Sequence, residues 1–281
     1  MRPRPATGRR VVNLVVSCLG GASALLGILV LAWILFGVVS RGLGALNLDF
    51  FTRLPTPPGT AGGGLANAIV GTLVMTGLAT LLAVPLGLMG GVYLSEFGQD
   101  SRLANNSRFS ANVLMGMPSI IIGVFTYILL VLPWGKFSAY AGIVALAIIM
   151  LPVVTRTAED MLRLVPNTLR EAALALGAPR WKVTLAVLFR AAKPGLLTGI
   201  LLAVARVSGE TAPLLFTALN SPYWPASLAE PTPNLTVTTF NYAMSPYPDW
   251  QQMAWGASLL ITFGVLALNV MARLSLREKP R

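Results

Sequence analysis

Histidine is absent from these 281 residues and cysteine occurs once, at Cys18. Without histidine there is no His-ligated metal site and no nucleophile activated by a His base. With one thiol there is no intrachain disulfide and no CxxC redox pair. Charge is scarce too: 21 Lys and Arg and 10 Asp and Glu amount to 11% of the chain, against 55% hydrophobic residues and a mean hydropathy of +0.71. A soluble protein of this size needs roughly a quarter or more of its surface charged, so the composition defines an all-α polytopic membrane protein. A P-loop is missing as well, since the one Gly-Lys pair, Gly135-Lys136, is followed by Phe137. The chain therefore binds no ATP by that route, and the composition points to no catalytic residue, metal or cofactor of its own.

Six stretches are long and apolar enough to cross a bilayer, which takes about 20 residues per helix. They are Val11 to Ser40, Leu65 to Leu94, Val113 to Leu132, Phe137 to Thr155, Pro194 to Leu219 and Trp250 to Ala272. The run after Arg9 and Arg10 is longer than the apolar region of a cleaved signal, so the first helix is expected to stay. With a cytoplasmic N-terminus, 17 of the 21 basic residues fall on the cytoplasmic side and three, Arg41, Arg53 and Lys136, outside. The net charge of +11 is thus a topology signal that places both termini in the cytoplasm, with some contact to anionic lipid, and nucleic acid is not needed to explain it.

Two connecting segments are large enough to carry function. The outer one, Asn220 to Asp249, has six prolines and the aromatics Tyr223, Trp224, Tyr242 and Tyr247. Its proline density predicts a rigid, non-helical surface, either a partner-docking face or an aromatic belt at the headgroups. The cytoplasmic one, Arg156 to Lys193, holds a capping-box pattern at Thr168-Leu169-Arg170-Glu171, with Leu169, Ala172, Ala173 and Leu176 at helical spacing. Gly177 stands where a C-cap glycine ends a helix and Pro179 where the next begins, which predicts a helix, an elbow and a second helix running through Trp181, Leu185 and Leu188. From the pattern alone this is either an ordinary interfacial helix or a docking element.

Glu171-Ala172-Ala173, three residues, then Gly177 matches the EAA signature of ABC importer permeases. Around it, Leu164 to Arg170 is similar to the phosphate-specific permeases of the PstA family. So are Asn67 to Thr72, Pro118-Ser119-Ile120, Ser208 to Phe216 and Asn241 to Pro246. The resemblance spans about Asn67 to Arg273. One departure is Phe189-Arg190, where the family usually closes the motif with Leu-Pro. The resemblance implies a MetI-like core of six transmembrane helices in a prokaryotic plasma membrane, with a coupling helix at about 168–177. Residues 1–64 would be a tail, first helix and outer loop, 65–274 the permease domain, and 275–281 a cytoplasmic tail. It also implies that Glu171, Ala172, Ala173 and Gly177 couple to an ATPase. The partners would be two ATPase copies that bind the ATP, a homologous second permease and an external phosphate-binding protein.

Arg206 lies 12 residues after Pro194 and 13 before Leu219, at the middle of the fifth span, where snorkelling cannot reach water. Glu210 follows at i+4. The pair either locks two helices together or forms a substrate path, Arg206 offering a planar donor fork to a phosphate oxyanion while Glu210 moderates its grip. Pro213 removes the donor to Gly209 and predicts a kink there, either a fixed bend or a gate. Two other readings compete: a permease for another oxyanion such as sulfate or molybdate, and a stand-alone secondary transporter with Arg206 and Glu210 as its ion-coupled site.

Overall fold

The computed structural model describes residues 6–60, 62–98 and 101–275, and among these there is no β-strand. Arg2, Arg4, Arg277, Lys279 and Arg281, all counted in the charge distribution, lie outside the described residues, as does most of the 275–281 tail. The elements are α1 (Ala6–Gly42), α2 (Leu48–Thr52), α3 (Ala66–Phe97), α4 (Arg102–Gly116), α5 (Ser119–Trp134) and α6 (Ala139–Arg163). Then come α7 (Asn167–Ala175), α8 (Arg180–Val207), α9 (Ala212–Leu215), α10 (Leu235–Ala243) and α11 (Pro248–Ser275). Five helices, α1, α3, α6, α8 and α11, are long and apolar enough to span a membrane, and α4 with α5 makes a sixth if that pair, bent by 104°, is one span.

Glycines set the register of the centre. A Cβ on Gly87 would stand 2.8 Å from the Cβ of Val154 and one on Gly91 2.4 Å from the Cβ of Ala158, so α3 and α6 lie backbone to backbone and run parallel. Helix α8 crosses α6 in the opposite sense, with Gly195 against Met161 and Gly199 against Thr157. Small residues are what allow such close approach where both helix surfaces are apolar. Met75, Ala79, Leu146, Met150, Ala203 and Val207 fill the seam between the three helices. Helix α7 lies at one end of the bundle, here the lower end, beside the lower ends of α3, α6 and α8; the opposite end is the upper. Helix α1 stands apart: its apolar window is 0% buried, and it touches α11 near its upper end, where Gly42 meets Leu259.

The structure departs from the sequence reading in three places. The third span, read as one run from Val113 to Leu132, is broken between Gly116 and Ser119, because Pro118 pushes Met117 into extended backbone (ψ 141°). The fifth starts 14 residues early, at Arg180, continuous with the segment after the elbow: a π turn at Val183–Leu188 carries the helix through Phe189-Arg190 and past Pro194. It also ends early, at Val207. The segment from Asn220 to Asp249 is not wholly non-helical, since Asn234 accepts a hydrogen bond from Val237 N at 2.8 Å and starts α10, whose Leu235, Val237 and Tyr242 are buried. Of its aromatics, Tyr242 stacks on Trp250 at 4.3 Å while Tyr223 and Trp224 stay exposed.

Candidate functional site

Helix α8 stops in the interior of the bundle. Its antiparallel register on α6 carries Arg206 to the level of Met150, near the middle of Ala139–Arg163. Beyond Val207 the helical ladder closes with Ser208 N on Val204 O, Gly209 N on Arg206 O and Glu210 N on Val207 O, and the chain is unwound from Ser208 to Thr211. Arg206 therefore sits in a last helical turn, where the carbonyl end of the helix dipole favours a cation. Its Nε is 4.0 Å from a Glu210 carboxylate oxygen. The pair survives although Glu210 is no longer on the helix. It is a loose pair: the Arg206 side chain is about half exposed (48%) and makes no other ion pair or hydrogen bond among the described residues, whereas Glu210 is largely enclosed.

Pro213 does not kink a continuing helix, as the sequence suggested. It is the second residue of α9, where a missing N–H costs nothing, and the break lies upstream. Its Cα would be 2.6 Å from a Cβ on Gly123 of α5, so Pro213 seats α9 against that helix. Gly209 lies inside the break, exposed, with no positive φ. Helix α10 braces the unwound segment: the single hydroxyl proton of Thr236 lies between two acceptors, Glu210 O at 2.9 Å and Asn234 Oδ1 at 3.0 Å.

At the lower end, α7 matches the expected coupling helix closely in extent. Gly177 has φ +79°, with Gly177 N on Leu174 O and Ala178 N on Ala173 O, so the elbow requires the glycine. The expected capping box is not formed: the helix begins after Pro166, Thr168 is inside it, and Glu171 makes no hydrogen bond or ion pair among the described residues. Leu176 is 89% exposed, and Leu169 and Ala172 are exposed as well, while Ala173 packs inward. The apolar stripe thus faces away from this chain.

Two charge clusters have no counterpart in the sequence reading, where the arginines count only toward topology. Glu159, fully buried, takes Arg108 Nε at 2.6 Å, Arg163 at 2.9 Å and Arg156 on its second oxygen. Arg108 also donates to Leu94 O, tying α3, α4 and α6 together. Arg170 of α7 reaches the end of α3, donating to both carboxylate oxygens of Glu96 (2.8 and 3.2 Å), and also holds Leu162 O and Val165 O. Each cluster joins segments far apart in the chain, Arg108 with Glu159 and Arg170 with Glu96, so helical spacing carries no signal of these contacts.

A broken helix with an arginine at its end, an exposed amphipathic helix beneath it and a bundle of five or six membrane-spanning helices describe a transporter subunit. Residues 83–277 match the family described as binding-protein-dependent transport system inner membrane component, and the chain belongs to that family of ABC importer permeases. Within it the chain is 47% identical to the phosphate transport system permease protein PstA of Yersinia pestis, over 99% of this chain and 94% of that one, and 46% identical to PstA of Haemophilus influenzae, over 96% of each. It is a PstA-family permease, a membrane-spanning and non-catalytic component that works with an ATPase and a binding protein. Among solved structures, the inward-facing MetNI methionine ABC transporter covers 77% of this chain and 96% of its own, with TM-score 0.61 at 22% identity. A bacterial ABC importer of alginate covers 97% and 100%, with TM-score 0.63 at 14% identity. Both share the fold.

Proposed function

We propose that this chain carries inorganic phosphate across the membrane, with Arg206 as its contact on the path and Glu210 as the group that limits how tightly the anion is held. The observation that supports this most is the state of Arg206: mid-depth, at the end of a helix broken there, half exposed and only loosely paired. Irregular backbone at membrane depth is tolerated only where it is buried in protein or lines a water-filled cavity, and an intramembrane arginine belongs on a path or on a partner charge. A guanidinium held at 4.0 Å keeps its donor fork free for an oxyanion. The unwound Ser208–Thr211 segment, with Gly209 in it and Pro213 seating α9 just beyond it, is the place where the path opens and closes. Relatives named as phosphate transport permeases support phosphate over sulfate or molybdate.

The partners we assign are a homologous second permease that covers the exposed side of Arg206, two ATPase copies that receive α7 through Leu169, Glu171, Ala172 and Leu176, and an external phosphate-binding protein. The lower end, with its arginines and lysines, is cytoplasmic, and so are both termini, in a bacterial-type plasma membrane. ATP is bound by the ATPase copies.

Uptake of labelled phosphate in membranes of matched protein level tests the path. Arg206→Gln is expected to abolish uptake while the protein still inserts and assembles. If the pair only locks helices, both single neutral variants fail to assemble and replacing the pair with apolar residues restores transport. A transport-competent apolar double variant would refute the role of Arg206.

A further inference from the structure

Helix α3 is gripped by polar contacts at both ends. At the lower end Glu96, in the π turn Tyr93–Phe97 that ends α3, receives both arms of Arg170 from the coupling helix; both side chains are mostly enclosed (18% exposed for Arg170, 13% for Glu96). At the upper end Asn67, itself 1% exposed, donates through Nδ2 to the backbone carbonyls of Ser221 and Tyr223, both at 3.2 Å. One turn further on, a Cβ on Gly71 would stand 1.9 Å from Pro233 O, and Thr72 Oγ1 accepts from Leu235 N at 2.8 Å, which fastens the start of α10 to α3. The next residue, Thr236, holds Glu210 O. An unbroken series of named contacts thus leads from the coupling helix, along one helix, to the residue paired with Arg206.

We infer that α3 is the rod that transmits movement of the coupling helix to the outer loop at 220–235 and to the Arg206–Glu210 station, with Arg170, Glu96 and Asn67 as positioning residues. Three physical features support a rod. Helix α3 is continuous from Ala66 to Phe97, about 48 Å at 1.5 Å per residue, long enough to join the two faces. It lies backbone to backbone on α6 at Gly87 and Gly91, in the turns that follow its internal Pro85, so close packing against α6 holds the helix in one register where the proline removes a ladder hydrogen bond. The grip on the outer loop is one-sided, because the Asn67 Oδ1 is buried without a hydrogen-bond partner, which disfavours the present arrangement relative to one that pairs it. Shifts at one end of such an element become shifts at the other when both ends are fastened to bistable parts.

The inference rests on α7 being the element that meets the ATPase, and the experiment separates the two. In a Cys18→Ala background, Tyr223→Cys is labelled from outside with an impermeant maleimide in the assembled transporter, with and without nucleotide trapped by vanadate. Trapping is expected to change the labelling rate about fivefold or more. Glu96→Ala and Asn67→Leu are each expected to remove that change, the double variant to be no worse than either alone, and Glu96→Asp to recover part of it. In all of them the ATPase co-purifies and its basal hydrolysis is unchanged. Residues this far apart normally act additively, so non-additivity is the mark of a shared rod. A trapping response that persists in Glu96→Ala, singles whose effects simply add, or no response in the parent would each overturn the proposal. Loss of ATPase association in Leu176→Asp supports the docking role of α7 independently; retained association there overturns that reading, and with it the lower end of the rod.

Discussion

Arg206 and Glu159 are both ionised residues on helices of an apolar bundle, and they are held in opposite ways. Glu159 has no exposed side-chain surface and is shared by three guanidinium groups; Arg206 has one distant partner and an open side. A buried carboxylate so enclosed is structural, because removing its charge leaves three arginines facing one another with only the exposed Asp160, 3.9 Å from Arg156, as a counter-ion. Glu159→Gln is expected to destabilise the bundle by about 3–5 kcal/mol, the usual effect of removing one member of a buried ion pair, and to lower its melting temperature in detergent markedly. Arg206→Gln is expected to leave that temperature within about a degree or two, since a half-exposed, loosely paired arginine contributes little to stability. Measuring both variants by the same thermal assay distinguishes the latch from the path. Glu210→Gln is the companion variant: with the counter-ion neutralised, Arg206 should hold the anion more tightly, so phosphate release slows while binding is retained.

At the scale of elements, the elbow between α7 and α8 depends on one backbone conformation. Gly177 has φ +79°, which a β-branched residue adopts only at a cost of about 1–2 kcal/mol or more. No side chain within 4 Å would obstruct a Cβ there, so the strain is purely conformational and falls on the helix that faces away from this chain. Gly177→Val should therefore insert and fold, lose ATPase co-purification and lose uptake in proportion; full association with normal uptake would count against the elbow. The amphipathic pattern of Leu169, Ala172, Ala173 and Leu176 was legible in the sequence, as was the glycine turn. The capping box does not form, because the helix starts straight after Pro166, before Thr168, and leaves Glu171 without a partner among the described residues. In α4 and α5, one apolar run concealed a sharp bend, since hydropathy does not record the backbone constraint that Pro118 places on Met117.

For the whole molecule, the alternation of α1, α3, the α4–α5 pair, α6, α8 through α10, and α11 brings both ends of the described chain to the face that carries α7. Single-cysteine labelling in a Cys18→Ala background checks the assignment of that face to the cytoplasm. Cysteines placed at Thr60 and Glu230 should react with an impermeant reagent in intact cells, and those at Asn105 and Ala175 only after permeabilisation. The reverse pattern would invert the topology. The uncovered apolar surface of α1 is what a helix surrounded by lipid presents, and its contacts with α11, Gly42 on Leu259 and Arg41 over Trp255, lie near its upper end.

Composition and hydropathy by themselves determined that the protein spans a membrane several times, that it carries no histidine chemistry and no thiol pair, and that a short amphipathic helix closed by a glycine turn lies in a segment between two spans, because each of these is a property of residue types and local spacing. The sequence also put Arg206 beside Glu210, but on the premise of a helix running on to Leu219; the pair is present although the helix stops at Val207 and Glu210 lies beyond it. Only the tertiary structure decided that this helix ends at Val207, that Thr236 braces the break, that Glu159 gathers Arg108 together with Arg156 and Arg163, and that Arg170 reaches Glu96. The contacts of Thr236 with Glu210, Arg108 with Glu159 and Arg170 with Glu96 turn on segments distant in sequence, and no periodicity within one helix specifies which residue of another helix will complete its charge or its hydrogen bond.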